Sequence, residues 1–375
     1  MANITPLTSS KTHYEILDGL RGVAATLILV YHLCEACGLV LGHGYLAVDF
    51  FYALSGFVIA YSYDDRWGKM SIGTFFKRRV IRLHPMVVMG TLIGLVFYYF
   101  GKSAAFPFIG AYPWWTVVCL FLYCCLMLPM PNSWDIRGWQ DFNSFNGNIW
   151  SLTWEYAANI CYALFLRFLP TRLLVLLVLV AAAGTLDLTL NLDVLGAFSS
   201  GRVGAPFTVN GGWSLTGSEL YIGLVRVLYP FTAGMLLART RLRLRMSRAF
   251  LCSSLLVAVM LLMPQLQGVG NGIYEAIAIL VAMPLIVSIG AANNIRASKA
   301  FRLCHFLGDI SYPLYITHLP FVYMLLAWKS NNPEATIGEL ALIAVLLFIL
   351  SIATAYASLK LYDLPLRKWL KARWA

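Results

Sequence analysis

Charge is scarce in this chain. Only 12% of its 375 residues are Asp, Glu, Lys or Arg, and 60% are hydrophobic, against about 25% and 45–50% in soluble domains. That shortage excludes an ordinary soluble globule. Acidic residues are the scarcest, 17 against 28 Lys and Arg, leaving a net charge of +11. Also missing are a long Pro/Gly linker, a low-complexity tract and a visible internal repeat, so neither linked domains nor a solenoid is indicated. The eight cysteines make no disulfide or zinc framework. Most lie inside apolar runs (Cys119, Cys124, Cys125, Cys161, Cys252), where a thiol behaves as a small hydrophobe. The Cys34 and Cys37 pair lacks both a thioredoxin-like context and a second pair to complete a metal site. No metal is expected. The first 15 residues are polar, and the apolar run after Arg21 continues to about Leu41 without a short core and small-residue cleavage site. It reads as an uncleaved span rather than a signal peptide.

What the chain has instead is a series of apolar runs, near 20–41, 46–63, 85–101, 113–130, 149–169, 173–190, 220–238, 249–264, 273–291, 304–327 and 338–360. Runs of about 20 residues suit a hydrocarbon core about 30 Å thick. They predict an all-α polytopic membrane bundle forming one domain over residues 1–375. In such a protein a positive excess marks cytoplasmic loops rather than nucleic-acid binding. The basic clusters Lys69 to Arg82, Arg239 to Arg248, Arg296 to Arg302 and Arg367 to Arg373 therefore belong on one side, with the 1–15 and 361–375 ends. Five runs lie between the first two clusters, and an odd number cannot join two loops on the same side. One must fail to cross. The stretch 131–160 is the expected offender, because it mixes Asn, Trp, Asp, Gly and Glu155 with apolar residues, and irregular backbone at membrane depth needs protein or a wet cavity beside it. About ten spans plus a re-entrant or broken element there are expected.

Ionisable groups at bilayer depth are costly and so mark candidate function. Arg21 and His32 lie eleven residues apart, which on a helix is about 16 Å of rise and close to three full turns, so they share one face. Asp18 precedes Arg21 and Glu35 follows His32 by one turn, giving each base a carboxylate neighbour. Glu35 could orient the imidazole and raise its basicity, as a general base requires. The bland alternative is an Arg21 that snorkels to the interface and a His32 that satisfies a core hydrogen bond. Asp49 falls among large apolar groups on the side His32 approaches, with His32 or a substrate hydroxyl as its expected partner. Ser55 and Gly56 suit close helix packing. Arg78 and Arg82, one turn apart just before Pro85, can grip phosphate as a pair or serve as a topogenic loop. Trp150 and Trp154 form an aromatic stripe, and Ser151 and Glu155 a polar one. Those stripes suit a sugar or another amphipathic ligand, and equally an interfacial belt. His318 lies deep in the tenth run, where a satisfied core histidine is the default reading.

These elements, in this order, resemble the membrane-bound acyltransferase family 3, O-acyltransferases of bacterial surface polysaccharides and related acceptors. The matched residues are Asp18-Gly-Leu-Arg21-Gly with His32, Gly44 to Gly56 around Asp49, Arg78 to Pro85, Trp150-Ser-Leu with Glu155, Arg226 to Gly234, Ser311-Tyr to His318, and Asp363-Leu-Pro365-Leu-Arg367. The resemblance implies a cytoplasmic acyl-CoA donor, usually acetyl-CoA, and an extracytoplasmic carbohydrate or glycolipid acceptor such as an exopolysaccharide. It implies His32 as catalytic residue, Arg21 as a donor-site contact, and Arg78 and Arg82 as binders of the CoA phosphates. Glu35 and Asp49 are expected to support His32, and Trp150, Ser151, Glu155 and His318 to line the acceptor site. Asp363 stands where the family often has Glu. A multi-pass protein of the bacterial inner membrane, with both termini cytoplasmic, surrounded by lipid, follows. Many relatives carry a further C-terminal extracytoplasmic hydrolase-like domain, and the short stretch after the last run predicts none here. A pantetheine arm of roughly 15–20 Å matches the ~16 Å rise from Arg21 to His32. A proton-coupled or solute transporter would use the same intramembrane residue types. The absence of a paired inverted repeat speaks against it.

Overall fold

The structure, a computed structural model, describes residues 13–199, 201–202, 204–293 and 299–374. Residues 1–12, part of the basic cluster beginning at Arg296, and Ala375 lie outside that set. Among the described residues there is no strand. Twelve helices follow in order: α1 Glu15–Cys37, α2 Ala47–Tyr63, α3 Ile72–Tyr98, α4 Trp114–Cys125, α5 Ile149–Leu164, α6 Thr171–Thr189, α7 Gly217–Thr240, α8 Ala249–Leu262, α9 Val269–Ala292, α10 Lys299–Thr317, α11 Leu319–Asn331 and α12 Ile337–Trp374. The helix ends carry ordinary stop and start chemistry. α1 ends at Gly38, whose φ of 89° only glycine adopts readily. α12 starts in a capping box between Thr336 and Glu339.

Seven helices are long and apolar enough to cross a membrane, and the bent pair α10–α11 makes eight. About ten were expected; α5 and α8, with 16 and 14 residues, fall short of this length. The parity problem has its answer in α4. This helix has only 12 residues, about 18 Å of rise, and the chain after it turns back. Asn132 accepts from the Leu215 amide, the Ile136 carbonyl accepts from Tyr98, and Trp139 donates to the Ala105 carbonyl. These partners return the chain to the end at which α4 began. The re-entrant element is thus α4 with the irregular stretch 126–148, while Ile149 onward, expected to be part of it, is regular helix. We call the end at which α1 begins basal and the opposite end distal. The described parts of the four basic clusters lie towards the basal end. α3 begins at Ile72, not at Pro85 where the span was expected to start, and continues through Pro85, so Arg78 and Arg82 lie on one helix, as their one-turn spacing suggested, and not in a loop.

Two helix pairs form the frame, α1 along α10 and α2 along α7. Both depend on glycine at the contact. A Cβ on Gly56 would meet the Phe231 carbonyl oxygen at 1.9 Å, and one on Gly22 the Leu307 carbonyl oxygen at 2.3 Å. Buried apolar side chains form two clusters. α1 contributes to both, Leu20, Ala24 and Ile28 to one and Ala25, Leu29 and Leu33 to the other, so its polar face lies on the seam between them.

Because the atom opposite Gly56 is backbone and cannot rotate away, Gly56→Leu should abolish accumulation of folded protein, read by size-exclusion chromatography in detergent. Gly68→Ala, where nothing lies within 4 Å, should match the wild type.

Candidate active site

A cavity of about 770 Å³ enters from the basal end between α1, α2, α3, α5, α10 and α12. Its walls carry Arg21, Lys77, Arg78, Arg79, Arg82, Arg367 and Lys371, so scarce charge is concentrated here. α1 and α10 approach closely enough for Arg21 to donate to Ser311 Oγ at 2.7 Å and to the Gly308 carbonyl at 3.0 Å, with Asp18 at 3.3 Å. At the mouth of this group His13 binds Glu15 at 2.9 Å and Asp18 at 3.0 Å. The hydrogen bond to Asp18 pushes His13 up to about 9, so it is cationic at neutral pH. Arg79 is buried and bound to Glu155 at 2.8 Å, and Ser55 Oγ donates to the same carboxylate oxygen at 2.7 Å. Arg82 lines the cavity with no hydrogen bond or ion pair among the described residues. Arg78 is exposed, its nearest polar partner being Met70 Sδ at 3.6 Å. An anion that enters finds donors already oriented, without the reorganisation that water would need.

The cavity ends at mid-depth against Phe51 and Tyr315, whose rings meet edge to face at 5.4 Å. Tyr315 is fixed by a 2.7 Å hydrogen bond between its hydroxyl and Ser151 Oγ. On the other side of Tyr315 stand two histidines. The Tyr315 and His318 rings are 6.1 Å apart, and His318 stacks on His32 at 5.6 Å with an interplanar angle of 27°. α1 brings His32 to this point and the 45° break between α10 and α11 brings His318. His32 Nδ1 lies 3.5 Å from Glu35 Oε2, and the ring is 22% exposed.

Several expected roles change. Asp49 does not face His32. It forms a fully buried ion pair with Arg226, at 2.6 and 3.2 Å, while Arg226 also donates to the Gly211 and Tyr45 carbonyls. An unpaired carboxylate at that depth would be very costly, and only a guanidinium on α7 is within reach. Trp150 is not open to a ligand either, since its ring lies 5.0 Å under the Arg226 guanidinium and the side chain is buried. His318 has both ring nitrogens engaged, Nδ1 with the Leu314 carbonyl at 2.9 Å and Nε2 with the Asn148 amide at 3.3 Å. It donates from Nδ1 and accepts at Nε2, so neither ring nitrogen is free for a substrate. Ser151 and Glu155 line the basal cavity, the side opposite to the one expected. Glu35 keeps its place beside His32, and Arg21, Arg78 and Arg82 share one cavity. Sequence reasoning missed Arg79 and Tyr315 and gave Ser55 only a packing role, although its hydroxyl binds Glu155. The signal for Arg79 was its position in the Arg78–Arg82 run, three residues from Arg82 and so on the neighbouring face. Among the described residues no three His, Cys, Asp or Glu side chains converge where a metal ion would fit.

Removing one partner of the Asp49–Arg226 pair leaves a bare buried charge, worth about 3–5 kcal/mol. Asp49→Asn or Arg226→Met should lower the detergent melting temperature strongly, and Asp49→Leu with Arg226→Met should recover much of that loss.

The chain was compared with known proteins. It is 42% identical over 83 residues to Protein 2 in the picA locus of Rhizobium radiobacter, covering 22% of this chain and 44% of that one. It is 31% identical over 170 residues to Acyltransferase MdmB of Streptomyces mycarofaciens, covering 42% and 41%. A Staphylococcus aureus protein provisionally named O-acetyltransferase SACOL0978 matches at 39% over 77 residues, 20% of this chain and 12% of that protein. The matches thus span less than half the length of each of these curated relatives. No solved structure matches. The family described as Acyltransferase domain matches residues 14–358, which includes both histidines, Arg226 and the cavity wall apart from its α12 residues, and the chain belongs to that family.

Proposed function

We propose that this protein is an acyl-CoA-dependent O-acyltransferase that takes an acyl group, in the first place acetyl, at the basal end and delivers it to an acceptor hydroxyl at the distal end. The observation that carries this reading is the cation-lined cavity, open at the basal end and stopping at the Phe51–Tyr315 contact, with His318 and then His32 stacked beyond it, in a chain of an acyltransferase family. Coenzyme A is the common acyl donor whose shape suits such a passage, with phosphates at one end and a thioester on a narrow arm at the other. The basic clusters at the basal end support a cytoplasmic placement for it by the positive-inside rule. That orientation suits a bacterial inner-membrane enzyme with both termini inside, acting on an exopolysaccharide or lipid-linked glycan outside.

In this mechanism the phosphates bind between Arg21, Arg78 and Arg82. The pantetheine arm displaces the Phe51–Tyr315 contact and brings the thioester carbonyl beside His32. Glu35 engages Nδ1, which leaves Nε2 of His32 as the base. The acceptor oxygen attacks the carbonyl carbon while Nε2 takes the hydroxyl proton. The tetrahedral intermediate collapses with cleavage of the C–S bond, and the proton passes from His32 to the departing thiolate to give free coenzyme A. Direct transfer through one ternary complex requires fewer steps than an acyl-histidine route. His318, neutral and hydrogen-bonded on both nitrogens, holds the plane of the His32 ring by stacking.

His32→Ala should reduce O-acetylation of surface glycans about 10²–10⁴-fold, measured by mass spectrometry at matched protein levels, with coenzyme A affinity kept. Wild-type acetylation by this variant would end the proposal for His32. Arg82→Ala should weaken coenzyme A binding about tenfold, the effect of losing one charge-assisted contact. Unchanged calorimetric affinity would place the phosphates elsewhere.

A further inference from the structure

We infer that the last turns of α12 form a nucleotide clamp, in which Arg367 and Lys371 hold the 3′-phosphate of coenzyme A and Trp374 stacks on its purine. The inference rests on the donor reading above and adds to it which part of the donor is recognised, and by what. Arg367, Lys371 and Trp374 are spaced by four and three residues, so one face of a helix presents two cations and an indole in a row. All three line the cavity at its basal mouth. The opposite face of the same turns behaves differently. There Arg373 lies 4.7 Å over the Trp369 ring, and neither residue lines the cavity. A helix that merely rested in the headgroup region would use its Lys, Arg and Trp side chains for that. Here only the outer face has that arrangement, and the inner face points into a cavity.

The inner face is also built for a ligand. Asp363 is buried and holds Arg367 at 2.6 Å, which orients the guanidinium. Lys371 has no ion pair among the described residues, and Trp374 is 48% exposed with no ring or cation partner among them. Lys77 and Arg78 complete the mouth from α3.

Charge supports the assignment. The cavity is lined by seven cationic side chains and three carboxylates, and Asp18, bound to Arg21 just outside the lining, leaves an excess of three. A diphosphate supplies about two negative charges and a phosphate monoester about another 1.5–2. A ligand with the diphosphate alone would leave about one positive charge uncompensated, and the 3′-phosphate supplies the rest. Arg21 and Arg79, already paired with Asp18 and Glu155, and the unpaired Arg82 then serve the diphosphate deeper in the cavity.

The test uses the full chain in lipid nanodiscs, with calorimetric titration of coenzyme A and of 3′-dephospho-coenzyme A. The wild type should prefer coenzyme A by about tenfold, the worth of one charge-assisted phosphate contact. Lys371→Ala should weaken coenzyme A about tenfold, leave the dephospho form nearly unchanged and so erase the preference. Trp374→Ala should weaken both ligands by about five- to tenfold, as loss of a base-stacking ring does, and Trp374→Phe should restore most of it. Arg373→Ala, on the outer face, should alter neither. Equal wild-type affinity for the two ligands, or a Lys371→Ala variant that keeps the preference, would overturn the clamp and leave the donor site standing. Failure of the wild type to bind coenzyme A at all would overturn the donor reading, and the clamp with it.

Discussion

Helix α1 can lie flat against α10 because Gly22 and Gly308 present no side chains where the two backbones meet. A Cβ on Gly22 would overlap the Leu307 carbonyl, and one on Gly308 would come within 2.8 Å of Asp18 Cβ. That contact fixes everything polar along α1. It puts the Arg21 guanidinium onto the Gly308 carbonyl and Ser311 at the cavity wall. Three turns further along the same face it puts His32 onto His318. α1 therefore acts as a rigid spacer about 16 Å long between the cation-lined end of the cavity and His32. Small residues at helix contacts are the usual means of bringing backbones together in a membrane, where burial of apolar surface gives no advantage over lipid.

The buried charges divide into two sorts. Asp49 with Arg226 is closed: both side chains are fully buried, their donors and acceptors are used on each other and on backbone, and Trp150 seals one side. Such a pair positions α2 against α7 and contributes specificity more than net stability, since desolvation offsets much of the attraction. The cavity charges are open. Arg79 and Glu155 are paired, yet both line accessible space, and Arg82 is left for a ligand. Between the open charges and the histidines stand only Phe51 and Tyr315.

Much of the site was legible in the sequence where the information was local. The shared face of Arg21 and His32, and Glu35 one turn beyond, follow from helical spacing alone. The close-packing role of Gly56 was legible because small residues at a membrane-helix contact let backbones approach. What failed was non-local or hidden in an irregular segment. Asp49 and Arg226 are separated by 177 positions, and no spacing rule connects them, so His32 looked the nearer partner. Trp150 and Trp154 made a sound aromatic stripe, but the stripe faces α7 and the Gly212 carbonyl and not a ligand. Pro85 suggested a helix start, although a proline in a long membrane helix can be accommodated by neighbouring groups. The odd count of runs implied that one must turn back. It could not show which, because α4 is as apolar as its neighbours and only its length and the partners of 132–139 distinguish it.

The central claim is that one cavity leads from a basal phosphate grip to His32. It is tested most directly by a cryo-electron microscopy structure of the protein with coenzyme A bound. The account predicts phosphate density between Arg21 and Arg82, the Phe51 and Tyr315 rings parted, and the sulfur within about 4 Å of the His32 ring, near van der Waals contact. Coenzyme A bound outside this cavity, or a sulfur left on the basal side of closed rings, would contradict it.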